Sequence, residues 1–491
     1  MLAVSDLAKQ TCYVDGSWEP GRGAHFASVD PATGETLATW ALADVTQADA
    51  AVAAARRAFD DSHWRRFVPS ERAAVLRRLA DLLDEHHEEL AQLVTTEVGS
   101  PISLARTLQT ATPATNLRWA ADAAERGPRG GYAERLPTLT DPVPAASELL
   151  RQPIGVVAAI TPYNYPVNMI VWKVGPALAA GCTVVLLPSP RGVLCSAAFV
   201  HLAEQAALPA GVLNLVPGPA DVGQRLCSHP QVDMVTFTGS NAVGAAVMSA
   251  ATPTHKKVVL ELGGKSPTLL LPGADLEMAV GPSMLRFCRN AGQGCGATTR
   301  ILVHREQLDD FVEAARLFLR DHVPVGDPRS EQTEVGPLIS DEHRRRVEGY
   351  IERAVAGGAT VLAGGSRPAV GGAGFFLEPT LVGDVGPDDE ITQEELFAPV
   401  AVVLPYDTVD EAVAIANNSR YGLNALVWGD PGPAREVALR LDAGTVAVNG
   451  GGGSRPDVPW TGFKQSGIGT EMGEDGFAEF FVVRHLQWRE R

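Results

Sequence analysis

From residue 151 to residue 271 the chain alternates short apolar runs with helical stretches, and this leaves few folds open. Gly155-Val156-Val157-Ala158-Ala159-Ile160 has the length and composition of a buried strand. So do Thr183-Val184-Val185-Leu186-Leu187, Val212-Leu213-Asn214-Leu215-Val216 and Met234-Val235-Thr236-Phe237. Residues 168–180, 195–207, 220–228 and 241–251 read as the helices between and after them. Continuously apolar strands are buried on both faces, and helical crossovers make successive strands parallel. The pattern predicts an α/β fold with helices on both faces of a parallel sheet. Such sheets bind ligands beyond the carboxyl ends of their strands. Two more apolar runs fill 256–271, and a second α/β alternation follows over about 275–447.

The flanks have a different texture. Residues 1–45 read as β-rich, with a strand and turn at Tyr13-Val14-Asp15-Gly16-Ser17-Trp18 and a turn at Asp30-Pro31-Ala32-Thr33-Gly34. The stretch from Ala50 to about Glu97 reads as helical, stopped by Gly99-Ser100-Pro101, with another helix to about Glu125. Residues 127–148 carry Pro and Gly and predict irregular or hairpin structure. Phe477-Ala478-Glu479-Phe480-Phe481-Val482-Val483 reads as an apolar strand that would aggregate if left as an open edge.

A length of 491 residues suits two or three domains. The net charge of −17 argues against nucleic acid or an anionic membrane as partner, since both need a basic footprint. The six cysteines show no CxxC spacing and no Cys/His cluster, which argues against a disulfide framework or a zinc site. Met1-Leu2-Ala3-Val4-Ser5-Asp6 lacks the basic-then-apolar pattern of a secretory signal, and no apolar run of about 20 residues occurs. The expected compartment is the cytoplasm.

Four segments carry candidate chemistry. Gly294-Cys295-Gly296 sets a thiol between two residues without side chains, as an accessible nucleophile requires. A bland loop or core cysteine is the alternative. Thr161-Pro162-Tyr163-Asn164-Tyr165-Pro166 follows a predicted strand, so the Asn164 amide is placed to donate to an oxyanion, or else to bond its own turn. Leu260-Glu261-Leu262-Gly263-Gly264-Lys265 sets a carboxylate between leucines, and burial would raise its pKa toward that of a general base. The alternative is a Glu satisfied in an ion pair, with Lys265 as the partner. Phe237-Thr238-Gly239-Ser240 joins a strand to a helix start and forms a phosphate-binding junction, although it is no GxGxxG fingerprint.

Taken together and in order, these segments resemble the aldehyde dehydrogenase superfamily over about residues 13–475. Asn290-x-Gly292-Gln293-x-Cys295-x-Ala297-x-x-Arg300 resembles its cysteine motif, and Glu261-Leu262-Gly263-Gly264-Lys265-Ser266-Pro267 its glutamate motif. Gly336-Pro337-Leu338, Glu394-Glu395-Leu396-Phe397-Ala398-Pro399, Tyr421-Gly422-Leu423 and Lys464-x-Ser466-Gly467-x-Gly469-x-Glu471 complete the resemblance. It implies a Rossmann-type cofactor domain (1–130 and 151–260) and an α/β catalytic domain (261–447). It also implies oligomerisation segments at 131–150 and 470–491, and a loop at 448–469 returning to the active site.

The resemblance further implies oxidation of an aldehyde with NAD(P)+. Cys295 would be the nucleophile, Asn164 the oxyanion donor and Glu261 the base that activates water. Lys173 would lie near the catalytic centre. Ile160, Thr161, Pro162, Tyr163, Ser189, Phe237, Thr238, Gly239, Ser240, Leu262, Gly263, Glu395 and Phe397 would bind the cofactor. Tyr165, Met169, Trp172, Gly294, Gly296 and Trp460 would line a substrate tunnel suited to a bulky apolar or aromatic aldehyde, widened by Gly450-Gly451-Gly452-Gly453. Arg455 would meet the carboxylate of a semialdehyde. A homodimer or homotetramer is implied, with a small-molecule aldehyde as the other partner.

Two departures bear on the cofactor. Leu187 stands where relatives carry a lysine that reads the adenosine ribose, and Pro190 where NAD-preferring relatives carry a glutamate. Both ribose readers are missing, so NAD or NADP stays open, with NAD favoured because leucine cannot neutralise a 2′-phosphate. Ala398, for a usual glycine, and Pro459-Trp460-Thr461-Gly462, for a Pro-Phe-Gly-Gly pattern, are local changes. Competing readings are a CoA-acylating semialdehyde dehydrogenase, against which Glu261 counts, and a non-catalytic family member.

Overall fold

The computed structural model describes residues 4–9, 11–61, 64–370, 372–451 and 455–489. Met1-Leu2-Ala3, Gly452, Gly453 and the last two residues of the 470–491 segment lie outside the described residues.

The predicted strands assemble into one eight-stranded sheet. Its order is Ser17–Glu19, Cys12–Val14, Leu213–Leu215, Thr183–Pro188, Val156–Thr161, Met234–Thr238, Lys257–Glu261, Gly467–Ile468. The five central strands are parallel, and the outer ones are antiparallel to their neighbours. Thr183–Pro188 and Met234–Thr238 are buried throughout, as strands covered on both faces must be. Phe237 pairs with Ile160, and Thr238 with Glu261. The strands ending at Thr161, Thr238 and Glu261 therefore finish close together.

The second alternation forms its own seven-stranded sheet, in the order Thr360–Ala363, Thr380–Gly383, Val400–Tyr406, Thr298–His304, Ser266–Leu270, Asn424–Trp428, Thr445–Val448. Only the first pair is antiparallel. It has a separate core around Leu269, Phe287, Ile301, Phe311 and Leu426. The chain leaves the first sheet at Glu261 and enters the second at Ser266. Cys295 precedes the strand Thr298–His304. The carboxyl ends of one sheet thus meet the amino end of the other.

The expected hairpin is present, as Ala133–Leu139 paired antiparallel with Ala145–Pro153, and Phe481–Arg489 adds to it as an outer strand. Three expectations need correction. Phe477 to Val483 is not one strand, because a helix covers Gly473–Ala478 and the strand begins at Phe481. Phe477, Phe480 and Phe481 are all buried, and a spacing of three to four is that of a helical turn, not of a strand. The helical region 50–97 is broken into Val45–Asp61, Pro69–Glu85 and His87–Val98, with Pro69 opening the second helix. The β-rich N-terminal region also carries a short helix at Val4–Leu7.

Candidate active site

The loop that carries Cys295 is built on left-handed backbone. Asn290, Ala291 and Gly292 have φ of 53°, 54° and 69°. A Cβ on Gly292 would lie 2.1 Å from the carbonyl carbon of Ala398, so only glycine fits there. The loop is held by Gln293. Its Oε1 accepts from the Tyr163 hydroxyl at 3.1 Å and from the Ile339 N–H at 3.0 Å, and its carbonyl accepts from Asn164 Nδ2 at 2.8 Å. Asn290 Nδ2 returns a bond to the Asn164 carbonyl at 2.9 Å. The predicted oxyanion donor and nucleophile loop are thus tied together across the two sheets. Five of the six cysteines are fully buried, and Cys295 is half-buried.

Glu261 lies against the Cys295 thiol. Its Oε1 accepts from Trp460 Nε1 at 3.1 Å, while Oε2 is buried with no partner. Burial first, and then the nearby Glu471 carboxylate, push the Glu261 carboxyl up to about 7. The adjacent Cys295 thiol, the Trp460 N–H and the Lys173 charge act the other way. Burial and the Glu261 charge hold the Cys295 thiol well above its ordinary range. The resting pair is therefore a neutral thiol beside a carboxyl group that titrates near neutrality.

Lys173 does not reach Cys295. It is buried in an ion pair with Glu471, and donates to Thr236 Oγ1 at 3.2 Å. Lys265 is not the partner of Glu261 either. It is buried, and burial and then Arg300 pull its pKa down to about 7. Arg300 itself is spent on the carbonyls of Lys265, Ile415 and Ala416.

Many of the residues expected to bind a dinucleotide lie at the adjacent ends of the strands Val156–Thr161, Met234–Thr238 and Lys257–Glu261. Thr161 and Thr238 have buried hydroxyl oxygens without partners. Pro162 follows the strand end at Thr161, with Ile160 before it. The helix Asn241–Ala251 starts after Ser240, whose side chain faces the Val243 N–H. A Cβ on Gly239 would lie 2.4 Å from the Phe237 ring, and one on Gly263 would lie 2.3 Å from Glu395 Oε2. Glu395 Oε1 accepts from the Gly264 N–H at 3.0 Å, and burial raises its carboxyl to about 7. Buried Leu262 anchors the strand end, its N–H donating to the Ser466 carbonyl at 2.8 Å. Phe397 holds a φ of 57°, with its ring 6.2 Å from that of Tyr163. A helix N-terminus, orphaned hydroxyls and glycines with no room for a side chain fit a phosphate-bearing cofactor. Ser189 caps its own turn at Arg191 N, and Leu187 is buried among Val185, Val222, Leu226 and Phe237, turned away from any polar role.

On the other side of the thiol, Tyr165, Met169 and Trp172 come from the start of the helix Pro166–Ala180. The Trp172 and Trp460 rings are 6.0 Å apart. A Cβ on Gly296 would be 3.0 Å from the Trp460 ring, and one on Gly294 would be 3.6 Å from the Tyr165 hydroxyl. Arg455 is exposed and bonded to Asp457 at 2.6 Å. The charge of exposed Arg289 acts on Tyr165, and Arg289 and half-buried Arg286 feel each other's charge.

The model of the aldehyde dehydrogenase family matches residues 18–486. The chain belongs to the aldehyde dehydrogenase family. It is 38% identical to the aminoacetaldehyde dehydrogenase of Pseudomonas aeruginosa, covering 96% of this chain and 93% of that one. It is 39% identical to the mitochondrial succinate-semialdehyde dehydrogenase of Arabidopsis thaliana, covering 99% and 90%. A crystal structure of a mutant of aldehyde dehydrogenase C from Pseudomonas syringae, in complex with NAD+ and octanal, superposes with a TM-score of 0.92. That protein is 41% identical, over 98% of this chain and 96% of that one.

For an aldehyde dehydrogenase, some neighbours of the site were not legible in the sequence. His343 Nε2 lies 2.7 Å from the Phe397 carbonyl and Arg346 donates to the Leu396 carbonyl at 3.0 Å, so both brace the Glu395–Phe397 segment. Asn424 Nδ2 donates to the Gly296 carbonyl at 3.3 Å. All three come from parts of the chain whose local pattern is that of an ordinary helix or strand.

Proposed function

We propose that this enzyme oxidises an aldehyde to a carboxylic acid through a covalent intermediate on Cys295, released by water. It uses NAD(P)+, which when bound supplies the acceptor for the hydride leaving the aldehyde carbon. The observation that carries the reading is the Cys295 thiol lying against a buried Glu261 whose pKa sits at about 7. Cys295 gives its proton to water, and the thiolate forms a C–S bond with the aldehyde carbon as the carbonyl π electron pair moves onto the oxygen. Asn164 Nδ2 has two N–H groups; one is used on Gln293, and the other donates to the oxygen that becomes negative. Once the hydride has left, the thioester is hydrolysed by water that gives its proton to Glu261. NAD is favoured over NADP, because Leu187 and Pro190 offer a 2′-phosphate no charge.

The paired aromatic rings of Trp172 and Trp460 support a bulky apolar or aromatic aldehyde. A second reading, an aldehyde with a distal carboxylate, is favoured by Arg289, whose charge acts on Tyr165, and by Arg286, whose charge is felt by Arg289; neither has an ion-pair partner among the described residues. It is favoured too by the likeness to a succinate-semialdehyde dehydrogenase. NAD(P)H formation over a panel of aromatic, long-chain and carboxylate-bearing aldehydes, with and without CoA, decides. Turnover without CoA that vanishes in Cys295→Ala supports the hydrolytic reading, and a strict need for CoA overturns it. A KM that rises in Arg289→Met for carboxylated aldehydes alone selects the second substrate class.

The open outer strand Phe481–Arg489 exposes Val482, Val483, Leu486 and Trp488, which supports a homodimer or homotetramer built on that edge. Light scattering of the wild type against Val483→Lys tests it. Six unpaired cysteines suit the reducing cytoplasm.

A further inference from the structure

Glu261 has two carboxylate oxygens in unlike surroundings. Oε1 takes the Trp460 indole N–H at 3.1 Å, and Oε2 is buried without a partner. Trp460 is firmly placed for this contact. Its short strand pairs with Thr470–Glu471, so that Trp460 stands opposite Glu471, the partner of Lys173. Its ring rests on Gly296, where a Cβ would come within 3.0 Å, and leans on Trp172. A phenylalanine would fill much of the same space and donate nothing.

We propose that Trp460 is a positioning residue that holds Oε1 of Glu261, so that Oε2 is the atom that takes the proton of the hydrolytic water. The inference rests on Glu261 being that base. As the water oxygen bonds to the acyl carbon, its proton passes to Oε2 and the C–S bond breaks, leaving the electron pair on Cys295. The titratable groups around the carboxylate are Cys295, Glu471 and Lys173. A donated N–H favours the charged carboxylate, so its loss shifts the base form to higher pH.

The test isolates hydrolysis from the cofactor. Cys295 is acylated with p-nitrophenyl acetate, and the slow phase after the burst is followed against pH. In the wild type the slow rate climbs through a limb at about 7, the pKa of Glu261. In Trp460→Phe the limb is expected to move up by about one pH unit, with about fivefold slower hydrolysis at pH 7, about tenfold well below the limb, and near-equal rates well above it. Trp460→His, which keeps an N–H donor, is expected to restore most of the shift. A limb unmoved in Trp460→Phe, or a loss equal at every pH, overturns the proposal and leaves Trp460 as tunnel wall or packing. Glu261→Gln separates the two claims. If it keeps the limb and the rate, Glu261 is not the base, whatever Trp460 does.

Discussion

Lys173 and Glu471 form an ion pair in which neither side chain is open to solvent. Thr236 bonds to both, and the pair sits next to Glu261 without containing it. Removing one member leaves the other charged, buried and unmatched. Lys173→Met is expected to lower stability by about 3–5 kcal/mol, and Lys173→Met with Glu471→Met to recover most of that loss. Urea unfolding midpoints of the two variants against wild type check this.

Asn164 spends one N–H on the Gln293 carbonyl and has a second, which the proposed mechanism assigns to the substrate oxygen. Asn164→Ala is expected to lower kcat by about 10²–10³-fold, the cost of one oxyanion donor. KM should change far less. Steady-state kinetics, with circular dichroism to show that the fold persists, is the measurement.

The Cys295 thiol is held up by burial and by the Glu261 carboxylate. With a pKa of about 7, Glu261 is mostly charged at pH 8. Glu261→Gln removes that charge, so the thiol pKa should fall and iodoacetamide should alkylate Cys295 about threefold or more faster at pH 8. Slower alkylation would mean that Glu261 serves the thiol as a base more than it restrains it.

Gly292 combines a φ of 69° with no room for a side chain, since a Cβ would lie 2.1 Å from the Ala398 carbonyl carbon. Gly292→Ala is expected to abolish turnover and to destabilise the protein by more than about 1–2 kcal/mol. Gly294 has only an ordinary 3.6 Å contact to Tyr165. Gly294→Ala should fold normally and raise KM for bulky aldehydes. Thermal melts and kinetics on the pair separate strain from crowding.

Much of this was legible in one dimension. The run Val156 to Ile160 is apolar at every position, and it is a central strand. Cys295 between two glycines is the half-buried cysteine, while the other five are core. The misreading at Phe477 shows where local pattern fails. A segment of seven with six apolar residues is compatible with a strand or a helical turn, and the packing of Phe477 against Trp119 and Phe481 makes its start a turn. Arg455 shows a different limit of local pattern. Its nearest carboxylate, Asp457, is two residues away and claims it.

The sequence by itself determined the parallel α/β architecture, the accessible thiol and the order of the motifs, because apolar length, glycine and proline act on the few residues around them. Only the tertiary structure decided that Glu261 sits near neutrality, that Lys173 answers to Glu471 across 298 residues, and that Trp460 reaches Glu261 across 199. Burial, charge and hydrogen bonding at these groups depend on which distant segments share one small volume, and no local pattern carries that information.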